Sequence, residues 1–294
     1  MTRRRVHVSG SVPAVVTEAL AEDFELVPEP VGADGILSLI TTRVDDTYLD
    51  EAGPQLAIVA NYGVGLDNID LEAARSRQVQ VANTPDVLTK ATAELTIALT
   101  LSLLRRVAEG DRLLRSQKTW TFSLEFMLGE GLEDRVFVVV GPGRIGRETA
   151  RLAEAFGARP VFVGRDDDLH AVLATADIVS IHCPLTPETH HLIDAAALAT
   201  MRPTAVLVNT ARGPIVDEAA LVEALASGRL AGAALDVYEH EPRVSEDLLR
   251  MENVVLTPHI GSGTRRTREA MGLLAVSALR EVLLHGRRPT NAVV

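Results

Sequence analysis

Three charged residues in the second half of the sequence could together carry out acid–base chemistry on a small anionic molecule. Arg212 follows the apolar run VLVNTA, Glu241 follows ALDVYEH, and His259 follows VVLTP. In an open parallel sheet ligands bind beyond the carboxyl ends of the strands, so these side chains are expected to converge on one crevice. A guanidinium can bind a carboxylate through two hydrogen bonds, and an imidazole paired with a carboxylate can deliver a proton near neutral pH.

Each of the three residues also has an ordinary structural interpretation. Arg212 could cap a helix or lie on the surface, Glu241 could be a turn carboxylate, and His259 could be a hydrogen-bonded residue of the core. Their equivalent positions, each just after a predicted strand, favour a shared function.

A glycine-rich turn separates two short apolar runs that predict strands, Val136–Val140 and Val161–Val163. The turn reads GPGRIG, a GxGxxG, and an amphipathic helical pattern follows it. In this context Gly141 permits the tight turn, Gly143 lets the backbone approach a pyrophosphate, and Gly146 lets the helix pack close to the strand. The helix N-terminus adds free N–H groups for the phosphates. We therefore predict a dinucleotide site; the alternative is a glycine turn that binds nothing.

The residues that end the second strand of this unit indicate which dinucleotide binds. An NAD site usually has Asp or Glu there, which hydrogen-bonds the ribose 2′-hydroxyl. Here the sequence reads Gly164-Arg165, where glycine leaves room for a 2′-phosphate and arginine can pair with it. NADP(H) is therefore the preferred cofactor. NAD(H) is the alternative, because Asp166 could bend back to the ribose and Arg165 could be an ordinary solvated arginine.

Composition limits the classes of function. The chain has 294 residues, of which 47% are hydrophobic and 23% charged, so two ordinary globular domains are expected. The net charge of −11 argues against nucleic acid or an anionic membrane surface as a partner. The single cysteine, Cys183, excludes an internal disulfide, and no apolar run approaches the roughly 18 residues of a membrane helix. We expect a cytoplasmic protein, and no metal site is predicted.

Alternating strand and helix patterns predict two doubly wound α/β domains, each built on a parallel sheet. The first is a flavodoxin-like domain of residues 1–88 plus 268–294, and the second is a Rossmann domain of residues 89–267. Strands of the first are predicted at Val6–Val8, Phe24–Val27, Ile36–Ile40, Leu56–Ala60 and Val79–Ala82, and helices at Ala14–Leu20, Asp46–Ala52, Ile69–Arg75 and Arg268–Leu284. Further strands of the second are predicted at Ile178–Cys183, Val206–Asn209, Ala233–Asp236 and Val254–Leu256, and helices at Ala195–Ala199 and Glu218–Ala226.

Three segments between or beside these elements are unusual. Only eight residues, Pro28–Gly35, join the second and third strands, too few for a helical crossover. Thr89–Val107 predicts one long helix that is apolar nearly all round and therefore buried. Glu109–Asp134 is loop-like but carries the only tryptophan, Trp120, and several other large apolar residues, so it is expected to dock on another surface. The C-terminal helix is expected to pack back on the first domain.

Seven ordered segments resemble the D-isomer-specific 2-hydroxyacid dehydrogenase family, most closely its glyoxylate/hydroxypyruvate reductase branch. They are NYGVGLDNID (61–70), VANTPDVLTKATAEL (81–95), VVVGPGRIG (138–146), IHCPLTPETHHLID (181–194), VNTARGPIVDEAALVEAL (208–225), GAALDVYEHEP (232–242) and NVVLTPHIGSGT (253–264). Together they cover both predicted domains.

The resemblance implies a role for each candidate residue. His259 would donate a proton to the substrate carbonyl as hydride arrives, Glu241 would be its carboxylate partner, and Arg212 would grip a small 2-oxo acid. The substrate-binding residues would be Asn61, Val64, Gly65, Arg212 and His259. The cofactor-binding residues would be Gly141, Gly143, Arg144, Ile145, Gly146, Gly164, Arg165, Cys183, Pro184, Thr189, Thr210, Ala211, Asp236 and Gly261. The loop with Phe126 and Met127 resembles one that closes the substrate pocket, sometimes of a neighbouring subunit, so a homodimer is expected.

The sequence departs from the family pattern on the adenine side of the nucleotide domain. Only eleven residues lie between Arg165 and Asp177, where the family has a further strand and a longer helix. A Rossmann sheet trimmed by about one strand is therefore expected, with Val161–Val163 at its edge, where Pro160 is tolerated. The leading hypothesis is a reductase of glyoxylate or hydroxypyruvate. The alternatives are an NADH-dependent dehydrogenase of phosphoglycerate-type or broad specificity, and a non-catalytic protein that senses dinucleotides.

Overall fold

A computed structural model describes residues 3–294 of the chain, which divides into two units. One unit takes in the chain up to Leu88 together with Ser262–Val294, and the other is Thr89–Gly261. Each unit is built around one parallel sheet covered by helices, so the predicted fold class is confirmed. Among the described residues, no helix is both long enough and apolar enough to cross a membrane.

The secondary structure alternates between strands and helices along most of the chain. The strands are β1 (Arg5–Val8), β2 (Glu25–Val27), β3 (Gly35–Leu39), β4 (Ile58–Tyr62), β5 (Gln80–Ala82), β6 (Val136–Val140), β7 (Arg159–Val163), β8 (Ile178–Ile181), β9 (Val206–Asn209), β10 (Gly232–Leu235) and β11 (Val254–Leu256). The helices are α1 (Ala14–Asp23), α2 (Asp46–Ala52), α3 (Leu71–Ser76), α4 (Thr89–Leu104), α5 (Val107–Arg115), α6 (Arg144–Ala155), α7 (Leu169–Leu173), α8 (Ala195–Thr200), α9 (Glu218–Ala226), α10 (Glu246–Arg250) and α11 (Arg265–Leu283).

The first unit has a five-stranded sheet in the order β2-β1-β3-β4-β5 with every pair parallel. The connection from β2 to β3 contains no helix, as its length predicts. Helix α11 packs on α1 and β4, which confirms that the C-terminal helix returns to this unit. A side chain at Gly272 would meet Val16 and Tyr62, so glycine allows the close approach, and Arg280 Nε donates to Asp23 Oδ2 at 2.7 Å.

The second unit has a six-stranded sheet in the order β11-β10-β9-β8-β6-β7, again all parallel. Strands β8, β9 and β10 are buried along their whole length, as expected for strands covered on both faces. The chain runs from β6 outward to β7 and then returns to β8 on the other side of β6. This reversal of strand order creates a crevice at the carboxyl ends of β6 and β8. Strand β7 lies at the edge, where Pro160 costs no ladder hydrogen bond on its open side.

Aspartate and threonine side chains fix the starts of several helices. The side chains of Asp45, Asp70, Asp168, Asp194, Asp217 and Thr264 accept hydrogen bonds from backbone N–H groups three residues later. Such caps satisfy N–H groups that have no partner inside the helix. They define helices α2, α3, α7, α8, α9 and α11.

The prediction of a single helix over Thr89–Val107 is wrong. Helix α4 ends at Leu104, Arg106 takes a left-handed conformation with φ of 52°, and α5 begins at Val107. The guanidinium of Arg106 binds both carboxylate oxygens of Glu109, at 2.7 and 2.6 Å, which holds the turn. Apolar spacing could not reveal this break, because the residues on both sides keep a helical pattern. Helix α5 also corrects the loop interpretation of the start of Glu109–Asp134; residues 116–134 contain no helix or strand.

Helices α7 and α10 and a turn of 3-10 helix at Gly213–Ile215 were not predicted from the sequence. Each has five residues or fewer, which is too short to show a helical period. The other predicted elements are present, with ends that differ by a few residues.

Candidate active site

His259 and Glu241 form a hydrogen-bonded pair in the second unit. Nδ1 of His259 lies 2.8 Å from Oε2 of Glu241, and the two side chains are 28% and 35% exposed. The other oxygen of Glu241 accepts the backbone N–H of Tyr238 at 3.1 Å. With Nδ1 engaged, Nε2 of His259 is the ring atom left to exchange a proton with a ligand.

The electrostatic surroundings keep Glu241 ionised. Burial alone would raise the pKa of this carboxyl, but the hydrogen bond and charge of His259, the N–H of Tyr238 and the charge of Arg212 outweigh it. The net result is a pKa below the ordinary carboxyl value of 4.5. A carboxylate that stays charged near neutral pH hydrogen-bonds Nδ1 of His259 and so orients the imidazole ring.

Asp236 holds the loop that carries His259. Its carboxylate is fully buried and accepts the hydroxyl of Thr257 at 2.6 Å and the N–H groups of Ile260 and Gly261 at 2.8 and 2.7 Å. His259 lies between these contacts with φ of 52°, a left-handed conformation that is uncommon for residues other than glycine. Burial raises the pKa of Asp236, although these hydrogen bonds favour its ionised form. The carboxylate therefore fixes the backbone conformation that presents the histidine.

Arg212 is placed by the turn that follows β9. The Asn209 side chain accepts the N–H of Ala211 at 3.0 Å and donates to the carbonyl of Arg212 at 2.9 Å. Nη1 of Arg212 donates to the carbonyl of Ala211 at 2.8 Å. Gly213 comes next, and a side chain there would overlap the carbonyl of Tyr238, so this turn packs tightly against the segment leading to Glu241. The structure thus brings Arg212, Glu241 and His259 into one charged group.

An open cavity of about 270 Å³ borders the His259–Glu241 pair. Its other walls are mainly apolar and come from Tyr238, Pro242, Val244, Leu249, Leu256, Thr257 and Pro258. Apolar walls with a few polar groups are typical of sites for small organic molecules.

The glycine turn has the shape that a pyrophosphate requires. Gly141 has φ of 95°, and a side chain there would lie 2.5 Å from the backbone nitrogen of Cys183. A side chain at Gly146 would meet the carbonyl of Gly141, whereas no atom of the described residues lies within 4 Å of the side-chain position of Gly143. Within residues 3–294, no side chain caps the N-terminus of α6 at Gly143. The open space before uncapped helix N–H groups fits the phosphates of a dinucleotide.

His182 and Cys183, which follow β8, lie against this turn, and their side chains are uncharged. Burial lowers the pKa of His182 to about 3 and raises the pKa of the Cys183 thiol to about 11. Nε2 of His182 lies 2.8 Å from the hydroxyl of Ser180, which supplies its polar partner. Neither side chain is charged near neutral pH, so both act as walls rather than as acid or nucleophile.

The end of β7 differs in one respect from the sequence-based expectation. The carboxylate that folds back there belongs to Asp167, whose Oδ2 accepts the N–H of Gly164 at 2.7 Å, and not to Asp166. Arg165 is exposed beside it. A cation and a carboxylate are thus both available where the adenosine ribose of a dinucleotide would lie.

The remaining predicted cofactor residues of the second unit lie in the loops after β8 and β9 and at the start of α6. The hydroxyl of Thr189 donates to the carbonyl of Pro184 at 2.7 Å and accepts the N–H of Thr186, which closes the loop after β8. The hydroxyl of Thr210 lies 2.8 Å from that of Thr96 on α4. Arg144 and Ile145 begin α6.

Asn61, Val64 and Gly65 lie together in the first unit, Asn61 near the end of β4 and the other two in the turn that follows it. Asn61 is completely buried; its amide donates to the carbonyl of Gly65 at 2.7 Å, and its oxygen accepts from Asn68 at 3.2 Å. Asn83 donates to the carbonyl of Val64 at 2.9 Å. The Asn61 side chain therefore supports the turn from beneath, and Val64 and Gly65 are partly exposed.

Sequence reasoning missed the residues that position the charged group. Asn209, Thr257 and Tyr238 were not singled out, although each follows or ends a predicted strand. A polar residue that ends a buried strand, as Asn209 does, is a signal that could have been used. Asp236 was predicted to bind cofactor, and its hydrogen bonds to the His259 loop could not be read from sequence spacing.

Similarity to known proteins shows the family to which this arrangement of residues belongs. Residues 97–261 match the D-isomer specific 2-hydroxyacid dehydrogenase, NAD binding domain. A protein of Staphylococcus aureus (strain USA300) named "Putative 2-hydroxyacid dehydrogenase" is 39% identical over 316 aligned positions, which cover 98% of this chain and 99% of that one.

Solved structures agree over the whole chain. A protein from Thermus thermophilus has a TM-score of 0.91 and 42% identity, covering 99% of this chain and 100% of its own. An NADPH-dependent glyoxylate/hydroxypyruvate reductase from Sinorhizobium meliloti, in complex with NADP and malonate, has a TM-score of 0.87 and 34% identity, covering 100% and 97%. Because both sequence and fold match from end to end, the chain belongs to the D-isomer specific 2-hydroxyacid dehydrogenases, oxidoreductases with an NAD-binding domain that act on small 2-oxo and 2-hydroxy acids.

Proposed function

We propose that this protein reduces a small 2-oxo acid of the glyoxylate or hydroxypyruvate type to the D-2-hydroxy acid, with NADPH as the preferred cofactor and the cytoplasm as its setting. The observation that carries the proposal is the 2.8 Å hydrogen bond between His259 and Glu241 with the charge of Arg212 acting on the same carboxylate. The similarity to glyoxylate and hydroxypyruvate reductases supports the substrate class.

In the proposed reaction the protein supplies charge and a proton. When bound, the reduced nicotinamide supplies the hydride. Nε2 of protonated His259 donates its proton to the carbonyl oxygen of the substrate, and Glu241 stabilises the imidazolium beforehand. Arg212 pairs with the substrate carboxylate and polarises the ketone, which stabilises negative charge that develops on oxygen. Asp236 and Asn209 act through the loops that they hold.

We propose further contacts for the two ligands. The backbone N–H groups of Val64 and Gly65, supported by Asn61, bind the substrate carboxylate. The glycine turn from Gly141 to Gly146 binds the pyrophosphate. The other proposed cofactor contacts are Arg144, Ile145, Gly164, Arg165, Cys183, Pro184, Thr189, Thr210, Ala211, Asp236 and Gly261.

The preference for NADPH depends on two side chains at the end of β7. Arg165 can pair with a 2′-phosphate, whereas the Asp167 carboxylate at the Gly164 N–H would repel it and could accept the ribose hydroxyl instead. Asp167 therefore favours the second candidate, an NADH-dependent dehydrogenase of the same chemistry. Arg165→Ala should weaken NADPH binding and leave NADH binding nearly unchanged, and Asp167→Asn should shift the preference further toward NADPH.

We also propose that the protein is a homodimer. The segment after α5 exposes several large apolar side chains, with Phe122 75%, Leu124 86% and Leu128 65% exposed. Trp120 and Phe126 stack with ring centroids 6.0 Å apart. Such a cluster is typical of a surface that docks on a second copy. Phe122→Ser should lower the molar mass measured by light scattering toward that of a monomer.

One assay tests the central proposal. The absorbance of reduced nicotinamide is followed with NADPH and NADH in parallel, against glyoxylate, hydroxypyruvate, pyruvate and phenylpyruvate. We expect oxidation of NADPH by glyoxylate or hydroxypyruvate at the highest kcat/KM. Tight binding of NADPH without turnover of any 2-oxo acid would instead identify a dinucleotide sensor.

A further inference from the structure

The protein contains a second cluster of histidine and carboxylate side chains, whose glutamate, Glu239, is separated in sequence from the proposed catalytic Glu241 by one residue. Nε2 of His191 lies 2.8 Å from Oε1 of Glu239, and the rings of His190 and His191 stack with centroids 4.1 Å apart. One donor atom from each of His190, His191 and Glu239 lies within 4.8 Å of the other two. We propose that these three side chains form a site for a divalent transition-metal ion such as Zn²⁺.

The backbone explains why two consecutive histidines face the same way. His191 has φ of 52°, a left-handed conformation that residues other than glycine rarely adopt. Its N–H donates to the carbonyl of Pro214 at 2.8 Å, which holds this conformation. Neighbouring side chains in an extended segment would point to opposite sides, and the left-handed residue brings the imidazoles together instead.

Glu239 is also held in place before any ion arrives. Its second oxygen, Oε2, accepts the N–H of Glu218 at 3.1 Å, and its own N–H donates to the Glu218 carboxylate at 3.1 Å. This reciprocal pair leaves Oε1 directed at His191. Two of the three ligands are thus already ordered, which reduces the entropy lost on metal binding.

The ligand set fits a borderline ion better than a hard one. Two imidazole nitrogens and one carboxylate oxygen suit Zn²⁺, Ni²⁺ or Cu²⁺, whereas Mg²⁺ and Ca²⁺ prefer oxygen ligands alone. With bonds of about 2.0–2.1 Å, tetrahedral ligands lie about 3.3 Å apart. The His191–Glu239 separation needs to open by only a few tenths of an ångström, and His190, which is exposed, can adjust by side-chain rotation. Water would complete the coordination.

An ion at this position would connect two loops of the second unit, and the His191 N–H already joins one of them to a third at Pro214. His190 and His191 follow β8, Pro214 lies two residues after Arg212, and Glu239 lies two residues before Glu241. Occupancy should therefore stabilise the loops that hold the proposed catalytic group, independently of whether the reductase proposal is correct. The sequence alone did not predict the site, because Glu239 is distant in the chain from the two histidines.

The test is metal binding to the full chain, prepared without a polyhistidine tag. Isothermal titration with Zn²⁺, and the visible absorption spectrum with Co²⁺, should show one ion per chain. His190→Ala should weaken binding at least about tenfold, because even the loss of an outer-shell partner commonly costs 10–100-fold in affinity. Zn²⁺ should also raise the Tm of the parent protein and not that of the variant.

Two controls separate this site from other places where metal could bind. His170→Ala removes an exposed histidine of α7 and should leave the affinity unchanged. His259→Gln removes the other histidine–carboxylate pair and should also retain the ion. The proposal is overturned if His190→Ala binds Zn²⁺ as tightly as the parent, if His259→Gln abolishes binding, or if the parent shows no stoichiometric binding. None of these readouts depends on turnover.

Discussion

Two histidine–carboxylate pairs of this protein take their glutamates from the same short segment, yet the surroundings of the two pairs suit different chemistry. Both pairs have a ring nitrogen 2.8 Å from a carboxylate oxygen, and their glutamates, Glu239 and Glu241, are separated by one residue. Both histidines have φ of 52°. The distance within a pair therefore says little about what the pair does.

The two pairs differ in the third side chain that lies near each of them. The His259–Glu241 pair has the cation Arg212 close enough to act on the carboxylate, and a cavity of about 270 Å³ beside it. The His191–Glu239 pair has a second imidazole, that of His190, stacked on it. A guanidinium attracts an organic anion, whereas a second imidazole offers another ligand to a metal ion.

The largest expected effect comes from replacing the proposed proton donor. His259→Gln should lower kcat by about 10²–10⁴-fold, because it removes the general acid. Binding of NADPH, measured by fluorescence titration, should change little. The matched change in the other pair, His191→Gln, should have a far smaller effect on kcat. Equal losses in the two variants would contradict the distinction between the pairs.

The next largest loss of kcat is expected on replacing Glu241, which should also change how stability depends on pH. Glu241→Gln should lower kcat on the order of 10²-fold, toward the lower end of the range for general acid–base catalysis, because the imidazolium loses its counter-charge. The pKa of Glu241 is lowered in the folded protein. The pair therefore contributes stability above the ordinary carboxyl value, and this contribution is lost as pH falls through the lowered value.

That pH dependence can be measured directly. Urea unfolding of the parent and of Glu241→Gln should differ most above pH 4.5 and converge in more acidic solution. If the difference between the two proteins grew as pH fell, the assignment of a lowered pKa to Glu241 would be wrong.

Replacing Asp236 is expected to lower the free energy of unfolding. Asp236→Asn replaces one acceptor oxygen by an NH₂ group that must face a backbone N–H or a hydroxyl in a fully buried position. An unsatisfied buried donor costs about 1–3 kcal/mol of unfolding free energy. Thermal and urea unfolding measure this loss, and Glu154→Gln, at an exposed helix position, is the control that should stay near zero.

The comparison also shows what the sequence could and could not predict. The strand–glycine turn–helix pattern and the polar residues after each strand predicted the parallel sheets and the placement of Arg212, Glu241 and His259 in the same unit. Such features are local, or follow from the rule that parallel strands end at one edge. The sequence did not predict the break between α4 and α5 at Arg106, because it depends on one backbone angle and a local ion pair.

Contacts between loops that are distant in the chain could not be predicted from the sequence either. The bonds from Asp236 to the His259 loop, and from Glu239 to His191, join residues separated by 21–25 and 48 positions. No period or spacing rule connects such residues. Only the fold shows that the two glutamates, so close in sequence, face different histidines.

The smallest expected effect on catalysis is that of Glu239→Gln. The glutamine oxygen can still accept one of the two hydrogen bonds that the Glu239 carboxylate accepts, and Glu239 does not face His259, so kcat should fall far less than in Glu241→Gln. Steady-state kinetics beside those of Glu241→Gln make the test, since both variants remove one negative charge from the same segment. A similar loss in both would mean that Glu241 acts only by keeping this segment folded. A large loss in Glu241→Gln alone would tie the effect to the carboxylate that faces His259.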